Sequence, residues 1–384
     1  MLEIFRALYN ANNIADDRYR LPCTLMLVSR RFHQAVINTP LLWSTIIIKN
    51  SSNPQNLIAR LERACSTPLT IVASIDFPEH NIGLDEIWKA LSGGNWRVHM
   101  ETLIITSLIS GREGVLDMND FPLGPLRSLA AHSPTTLRLI HMPLPTASYF
   151  PSSLIKLIIE TPLERKYSPI EVTSCLQGCP QLQGLLLSGF VLGPSDATEP
   201  DILCNMAQLR KLSVRDVTFS QGVALLHHIR CPHLTSLEFH LDSPDEDSIW
   251  HSYGDLSLWQ NLDYPRLEHL SFAGVPAVGD ILADFLGRLP PSLKSFSINM
   301  EKVLFQYRTV VDKLADKRLA NFRSRLVRLE ARGIPLNGLV DLVERCSSLK
   351  QLRVHGESNW TQNNTRYFTD SLKQLVIDVE IVRQ

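Results

Sequence analysis

The 384-residue chain lacks the features that mark several large classes of protein. Apolar runs such as Leu154–Ile159 are broken within a few residues by Lys or Glu, far short of the ~20 residues of a membrane-spanning helix. No basic-then-apolar signal sequence opens the chain. Lys and Arg number 38 against 39 Asp and Glu, so the balanced charge gives no global attraction to nucleic acid or to an anionic membrane. We therefore expect neither a nucleic-acid nor a membrane partner.

Catalytic and metal-binding signatures are also missing. The patterns G-x-S-x-G, H-E-x-x-H, P-loop and G-x-G-x-x-G do not occur. The segment HHIRCPH (residues 227–233) has metal-type ligands, but they lie too close together for the paired spacing of a zinc site. DMND (residues 117–120) lacks the Gly and the terminal Glu of a calcium loop. The sequence predicts no enzyme, no cofactor and no metal.

The seven cysteines are an odd number in a long chain. This count indicates reduced thiols and a cytoplasmic or nuclear location rather than a disulfide framework. Cys179, Cys231 and Cys346 each lie three residues before the first Leu of a repeated motif. Their shared offset predicts small buried side chains at a helix-to-strand turn.

That repeated motif is L-x-x-L-x-L, with other apolar residues allowed at the later positions. Its starts are separated by 28, 27, 25, 33, 26, 33, 23 and 23 residues, which is typical of leucine-rich repeats. In a strand the fourth and sixth positions share a face, and stacking of strands buries that face. Weaker matches lie at Met100–Ile105 and near residues 137–139. The starts are Leu154, Leu182, Leu209, Leu234, Leu267, Leu293, Leu326, Leu349 and Leu372.

The intervals between motifs carry helical patterns. Two of them show apolar residues at i, i+3, i+4 and i+7, namely Val172, Cys175, Leu176 and Cys179, and then Leu339, Leu342, Val343 and Cys346. A third stripe lies within residues 281–289, and the two 33-residue intervals hold insertions at Ser243–Gln260 and Glu301–Arg318. The Asn or Cys usual at the ninth repeat position is missing, which predicts variable turns. The expected fold class is α/β, a short N-terminal helical unit followed by an irregular leucine-rich-repeat solenoid (horseshoe).

The first 46 residues predict three short helices. Ser29 is a plausible N-cap of the third helix, and Pro40 prevents its continuation. Helices this short bury little surface by themselves, so they must pack on the repeats or on another chain. Their apolar positions are Leu2, Phe5 and Leu8, then Leu21–Leu27, then Val28, Phe32, Ala35 and Val36.

These segments resemble a fungal-type F-box. MLEIFRAL and LMLVSRRFHQAVINTPLLWSTI share its apolar-Glu-Ile-Phe first helix, its V-S-R-R-F-H-x-x-V last helix and its T-P-x-L-W turn. Residues 58–76, IARLERACSTPLTIVASID, resemble the helix and strand that follow the F-box in many mushroom-lineage F-box proteins. The family commonly has a Leu-Pro-x-Glu segment before the first helix, whereas this chain opens within that helix. The expected domains are 1–48 (F-box-like), 49–96 (connecting or capping segment with a first strand) and 97–384 (repeat solenoid).

The resemblance implies the substrate-recognition subunit of an SCF-type E3 ubiquitin ligase, with the F-box docked on a Skp-type adaptor and the repeats holding a protein substrate. Apolar periodicity does not separate core from interface, so each adaptor position is open to both roles. The alternative is a repeat protein-binding module whose N-terminal helices only cap the solenoid, which the missing Leu-Pro segment favours. Nucleic-acid binding through the basic residues of 302–325 is a third hypothesis, opposed by the interleaved acids. The implied adaptor-binding residues are Leu2, Ile4, Phe5, Leu25, Val28, Phe32, Val36, Leu42 and Trp43.

Residues that alternate with the buried positions predict the exposed face of the sheet, where a substrate would bind. The Arg residues of the last three strands suit an acidic or phosphorylated peptide, because the guanidinium fork matches carboxylate and phosphate. A merely solvated face is the more ordinary interpretation. An aromatic insertion (Trp250, Tyr253, Trp259) is a second candidate contact, or a lid. The predicted substrate-binding residues are Lys211, Arg215, Glu238, His240, His269, Arg328, Glu330, Arg332, Arg353 and His355.

Overall fold

A computed structural model describes most of the chain. It leaves out residues 1, 12–14, 50–51, 66, 76–99, 108–133, 142–143, 145–149, 162–165, 168, 190, 193–203, 218–221, 223–224, 227, 242–263, 274–285, 301–313, 315, 335, 356–369 and 383–384. The chain divides into two compact units. The first comprises Met1–Arg165 and Ser174–Leu182, and the second comprises Lys166–Thr173 and Gln183–Gln384.

The first unit opens with helices. They are α1 (Leu2–Ala11), α2 (Ala15–Met26), α3 (Arg30–Ile37), a 3₁₀ turn (Pro40–Trp43) and α4 (Pro54–Ala64). The predicted N-cap of α3 is confirmed, since Ser29 Oγ accepts a hydrogen bond from the Phe32 N–H at 3.2 Å. Asn53 caps α4 in the same way, accepting from the Gln55 N–H at 2.9 Å.

The first unit also contains five parallel strands, the first of which precedes α4. They are β1 (Thr45–Ile48), β2 (Leu69–Ile75), β3 (Met100–Ser107), β4 (Thr136–Ile140) and β5 (Lys156–Glu160), each hydrogen-bonded to the next. β4 alternates between buried and half-buried residues, as expected for a sheet with one covered face. All four residues of β1 are buried, so both of its faces are covered.

The second unit contains a longer run of parallel strands and two short two-residue pairs. Its strands are β6 (Lys166–Tyr167), β7 (Gly184–Ser188), β8 (Val191–Leu192), β9 (Cys204–Asn205), β10 (Lys211–Val217), β11 (Ile229–Arg230), β12 (Ser236–Leu241), β13 (His269–Ala273), β14 (Ser295–Asn299), β15 (Arg328–Arg332), β16 (Gln351–His355) and β17 (Asp378–Val382). The main order is β7-β10-β12-β13-β14-β15-β16-β17, and the short pairs are β6–β8 and β9–β11.

Helices occupy two of the intervals in which the sequence pattern predicts them. The two apolar stripes that the sequence pattern marks as helical form α5 (Pro169–Gln177) and α7 (Leu336–Glu344), with a short α6 (Ala320–Arg323) between them in the chain. Cys179, Cys231 and Cys346 are buried, as their common offset before a motif predicts.

The register of the strands aligns the repeated motif. Leu212 of β10 is paired with Leu185 of β7 and Leu237 of β12, and the same alignment continues to Leu352 of β16. The first, fourth and sixth motif positions are buried in eight of the nine motifs. Aromatic rings extend this core, with Phe239 stacked on Phe272 at 5.6 Å between ring centroids. The parallel-strand repeat architecture and the mixed α/β class are thus confirmed.

The ninth motif differs from the prediction. LKQLVI at residues 372–377 is not a strand, because residues 370–375 are helical and β17 starts at Asp378. The Val376 N–H donates to the Leu372 carbonyl at 2.9 Å, and both side chains are buried, whereas Leu375 and Ile377 are exposed. Leu372 and Val376 lie four residues apart, so they also fit one face of a helix. The helical period, rather than the period of two of a strand, applies here. Val376 is the fifth residue of this motif, which alternates with the buried positions and is therefore expected on the exposed face of the sheet; its burial shows that this expectation was wrong.

A left-handed residue recurs at the end of the strands. His141, Gly189, Asp216 and Gly333 all have a positive φ, between 53° and 73°. Gly189, Asp216 and Gly333 are each the eighth residue of their repeat, and so is His141 when Pro134 is the first position of the weak match with Leu137 and Leu139 as fourth and sixth. In β10 this residue causes a bulge, where the register shifts between Arg215 and Val217. The missing Asn at the ninth position is therefore accompanied by a sharp backbone turn one residue earlier.

Several predictions fall outside the described residues. They concern the insertion at 243–260 with its three aromatic residues, most of the insertion at 301–318, the DMND segment, residues 281–285 of a predicted stripe, and most of the connection at 76–96. Within the part of the chain that the structure describes, no helix combines the length and the apolar character needed to cross a membrane.

Candidate interaction surfaces

The inner half of the N-terminal helices is core. Five of the nine residues predicted to bind an adaptor, Phe5, Leu25, Val36, Leu42 and Trp43, are buried within the chain. The Trp43 indole N–H also donates to the Val36 carbonyl at 2.9 Å. These five therefore belong to the packing of the unit, and the aromatic residue beside the Pro turn is not an exposed anchor. A large aromatic residue after Pro fits a turn packed on a strand as well as it fits an exposed contact, and the sequence alone does not distinguish the two.

A buried arginine fastens this helical unit to the first strand. The Arg60 Nε on α4 donates to the Thr45 carbonyl at 2.8 Å, and its guanidinium lies 4.1 Å from the ring centroid of Tyr19 and 5.3 Å from that of Trp43. Burial lowers the pKa of Arg60 to about 10, so the group stays charged at neutral pH. The Tyr9 hydroxyl adds a hydrogen bond of 2.7 Å to Thr45 Oγ1. The inner half of the unit thus covers the edge of β1.

The outer half of the same helices exposes large apolar side chains. We call Ile4, Leu8, Leu27 and Val28 the N-terminal apolar patch; they are 57%, 39%, 87% and 62% exposed. Ile4 and Leu8 lie one turn apart on α1, while Leu27 and Val28 form the turn between α2 and α3. The rings of Phe5 and Phe32, 5.6 Å apart, bring α1 against α3.

Two of the predicted adaptor residues, Ile4 and Val28, thus face solvent, and Phe32 is half-buried. The side chain of Leu2 lies outside the description. Leu8 and Leu27 were not among the predicted residues, although the i, i+4 relation of Leu8 to Ile4 indicates the same face. Large apolar side chains that stay exposed to solvent are typical of an interaction site when they form a contiguous patch.

On the second unit, the predicted substrate face begins with a charged cluster across β10 and β12. Both oxygens of Glu238 lie 3.2 Å from a terminal nitrogen of Arg215, and His240 Nε2 lies 2.7 Å from the same carboxylate. The hydrogen bond from His240, together with those from Ser213 and Arg215, outweighs burial and lowers the pKa of Glu238 to about 2. The Glu238 carboxylate is therefore charged across the physiological range.

The arginine-rich cluster of β15 and β16 is largely balanced by acids. Glu330 lies 2.8 Å from His355 Nε2, and Arg353 Nε lies 3.3 Å from Glu380 of β17. Arg328 Nε donates to the side-chain oxygen of Gln351 at 2.7 Å. These contacts use part of the charge that a phosphate would need. The sequence prediction missed Glu380, because the ninth motif placed the strand four residues too early, from Gln374 instead of Asp378.

The remaining predicted substrate residues lie on the same face. Lys211 and His269 are exposed and in register through Ser236, and Arg332 is half-buried between Asn299 and His355. All ten predicted residues therefore share one face of the second unit. Whether a substrate contacts them stays a prediction.

The buried cysteines are poor nucleophiles, and the described residues provide no metal site. Burial raises the pKa of Cys204 and Cys346 to about 11 and that of Cys231 to about 12, so these thiols stay protonated at neutral pH. Within the described ranges, no group of three or more His, Cys, Asp or Glu side chains is placed to hold a metal ion. His227 of the HHIRCPH segment lies outside those ranges.

No protein-family model matches the chain, and no curated protein matches it. Solved structures with some likeness include a Bacteroides fragilis protein (14% identity, 80% of this chain and 73% of that one, TM-score 0.36). Internalin C2 of Listeria monocytogenes is 14% identical over 68% of this chain and 84% of that one, with a TM-score of 0.25. The Drosophila Toll–Spatzle complex is 10% identical over 88% and 43%, with a TM-score of 0.35. At these values the likenesses carry no argument, and the repeat architecture rests on the chain's own strands and spacing.

Proposed function

We propose that this chain is the substrate-recognition subunit of an SCF-type ubiquitin ligase, with its N-terminal helices docked on a Skp-type adaptor and its repeats holding a protein substrate. The observation that carries the proposal is the N-terminal apolar patch. Its Ile4 and Val28 are two of the positions that the F-box resemblance implies for adaptor contact, and both side chains are more than half exposed. Such side chains gain free energy when a partner removes them from water.

A protein substrate fits the strand face of the second unit. The parallel strands present rows of side chains about 4.8 Å apart, which gives a broad surface rather than a closed cavity. Between the charged clusters, β13 and β14 contribute Ser271, Ser295 and Ser297, whose short polar side chains leave room for a partner's main chain. Extended surfaces of this kind are what repeat proteins use for recognition.

The capping alternative is favoured by a different observation. Arg60, Tyr9 and Trp43 hold the helices on β1, as a solenoid cap would be held. A cap accounts for the buried half of the unit and leaves the exposed Leu27 and Val28 without a role. Binding to an adaptor separates the two proposals.

The experiment is a pulldown of the purified chain with a Skp-type adaptor. The test variant is Ile4→Asp with Val28→Asp, two exposed positions whose replacement leaves the core intact. The matched control is Ile155→Asp, since Ile155 is an apolar residue 40% exposed and distant in sequence from the patch. Circular dichroism verifies that each variant is folded.

Under the proposal the parent and the control bind, and the double variant loses at least about tenfold in affinity, because two charges would be buried in an apolar contact. If the folded parent does not bind the adaptor, the helices are a cap and the ligase role is rejected. Equal binding by the double variant would show that the adaptor uses another surface.

A further inference from the structure

The last strand of the second unit has an open edge. β17 pairs with β16 on one side, and among the described residues no strand pairs with its other side. The Asp378 N–H donates to the Lys350 carbonyl at 3.0 Å, so the backbone groups of Asp378 point toward β16. Because these directions alternate along a parallel strand, the N–H and C=O groups of Val379 and Ile381 point outward. They are a template for one more strand.

The outer edge of β1, the first strand of the first unit, is by contrast covered by other parts of the chain. The Ser44 carbonyl accepts from the Thr70 N–H at 2.9 Å, so the next carbonyl, that of Thr45, points away from β2. That outward carbonyl is bonded by the buried Arg60, and helices cover the strand. No comparable cover lies over β17 in the described part of the chain, where Asp378 and Glu380 are exposed.

Apolar exposure points to a partner at the same place. Ile377, directly before β17, is 86% exposed, and Leu375 is also exposed. An isoleucine with this exposure beside an unpaired strand edge favours aggregation unless another segment covers it. The strand sequence itself alternates acidic Asp378 and Glu380 with apolar Val379 and Ile381.

The charge pattern of the sheets indicates what chemistry fits this edge. Acids repeatedly pair with a base on the neighbouring strand, as in Arg138–Glu160 at 2.9 Å and Arg215–Glu238 at 3.2 Å. Glu380 continues the pattern toward β16 through Arg353, yet its side chain is 60% exposed, which leaves it open on the outer side. A strand added there would place its own side chains beside two carboxylates, so Lys or Arg at alternate positions would be stabilised.

The same charges disfavour a second copy of this chain. Antiparallel pairing of two β17 strands centred on Glu380 puts this residue opposite the same residue of the other copy, and it brings both Asp378 carboxylates to the joined edge. Like charges directly opposite each other destabilise a sheet. The edge is therefore protected against self-association while it stays complementary to a basic strand.

We infer that the outer edge of β17 takes up an extended segment of a partner protein that has Lys or Arg at alternate positions with Val or Ile between them. The backbone of Val379 and Ile381 supplies the hydrogen bonds, Asp378 and Glu380 select the basic residues, and Ile377 is covered at the end of the strand. This goes beyond the proposed adaptor docking, because it names a separate surface and a separate partner chemistry.

The test measures binding of a fluorescently labelled synthetic peptide with alternating Arg and Val, beside a control peptide with Glu in place of Arg. Ile381→Pro removes the outward N–H while the bonds to β16 remain, and proline is tolerated on such an outward edge. Ile381→Ala is its matched control, since it shortens the side chain and keeps the N–H. Glu380→Lys tests the charge independently, and circular dichroism with thermal melting verifies folding.

We expect the Arg peptide to bind the full chain and the Glu peptide not to bind. Ile381→Pro and Glu380→Lys should each weaken binding at least about tenfold, and Ile381→Ala less than about threefold. Equal binding by the folded proline variant and the parent, or no binding of the Arg peptide at low salt, would overturn the inference. So would dimerisation of the parent that Ile381→Pro abolishes, since the occupant would then be a second copy. Adaptor pulldown by the same variants should be unchanged, which keeps this test separate from that of the ligase role.

Discussion

Replacement of Arg60 by Ala is expected to loosen the N-terminal helices from β1. The Arg60 side chain is 4% exposed and contacts three elements at once: the Thr45 carbonyl on β1, the Tyr19 ring on α2 and the Trp43 ring on the 3₁₀ turn. Loss of the side chain leaves the Thr45 carbonyl without this donor and removes both ring contacts. The helices then keep their apolar packing, the Tyr9 hydrogen bonds, the contact of Arg63 with the Trp43 ring and the surface ion pair of Lys49 with Asp16.

The magnitude follows from these contacts. A hydrogen bond from a charged donor to a buried carbonyl contributes about 1.5–3 kcal/mol. Each desolvated cation–ring contact adds about 1 kcal/mol. Relief of the cost of burying the charge offsets about 1–2 kcal/mol of this sum. The net destabilisation of the N-terminal unit is therefore about 3 kcal/mol, which is a factor of roughly 150 in its opening equilibrium.

Hydrogen exchange followed by mass spectrometry is the suitable assay, because a chain with two compact units need not unfold in one step. Amides of α2 and β1 in Arg60→Ala should exchange about 100-fold faster, while those of β12–β16 stay unchanged. Arg63→Ala is the matched control. Arg63 lies over the same Trp43 ring at 4.6 Å but is exposed, so its loss should cost only about 0.5 kcal/mol.

The reasoning is refuted if Arg60→Ala and Arg63→Ala speed exchange equally. It is also refuted if Arg60→Met, which keeps the apolar stem, exchanges at the rate of the parent. In that case packing of the stem, rather than the hydrogen bond and the ring contacts, would hold the unit.

Three further outcomes are expected. Gly333→Ala should destabilise the second unit by about 1 kcal/mol, because Gly333 has a left-handed backbone that a Cβ disfavours; urea unfolding measures the change, and an unchanged stability would contradict the assignment. Under native conditions iodoacetamide should modify Cys23 and Cys65, which are exposed, and spare the five buried cysteines in a mass spectrum; early labelling of a buried thiol would contradict the packing. The pKa of Glu238 is lowered from 4.5 to about 2, so the stability that its carboxylate gives the folded state is fully present above pH 4.5 and is lost as the pH falls from 4.5 to 2. Glu238→Gln should therefore lower the free energy of unfolding by about 1 kcal/mol at pH 7 and flatten the curve of stability against pH in that window. An unchanged midpoint of acid unfolding in the variant would contradict the role of the cluster.

The sequence predicted the strands because burial imposes a period of two at fixed spacing. Leu185, Leu212 and Leu237 align in register because each occupies the fourth position of its motif. The same reasoning failed at Leu372, whose motif is also compatible with a helical period, and a local pattern does not decide between two periods that it satisfies equally.

The interaction surfaces were only half predictable. Val28 and Trp43 are both large apolar residues near a turn, yet one is exposed and the other buried. Trp43 is covered in part by Arg60 and Arg63, which lie 17 and 20 residues further along the chain and pack against its ring. Contacts at that distance in sequence leave no periodic signal. The left-handed eighth position was not detectable from the sequence, because His141, Asp216 and Gly333 share no side-chain type and only their backbone reveals it.

This eighth-position turn makes the chain modular. At His141, Gly189, Asp216 and Gly333 one residue ends the strand by its own backbone conformation, so the path of the following segment does not have to set the register. The motifs that contain Gly189, Asp216 and Gly333 are followed by the next motif after 27, 25 and 23 residues, and each next motif keeps the same buried first position. Insertion and deletion after this residue are therefore the changes that such a chain absorbs most easily in the course of evolution. For protein engineering, the same site is where a foreign loop can be grafted between two repeats without displacing their strands.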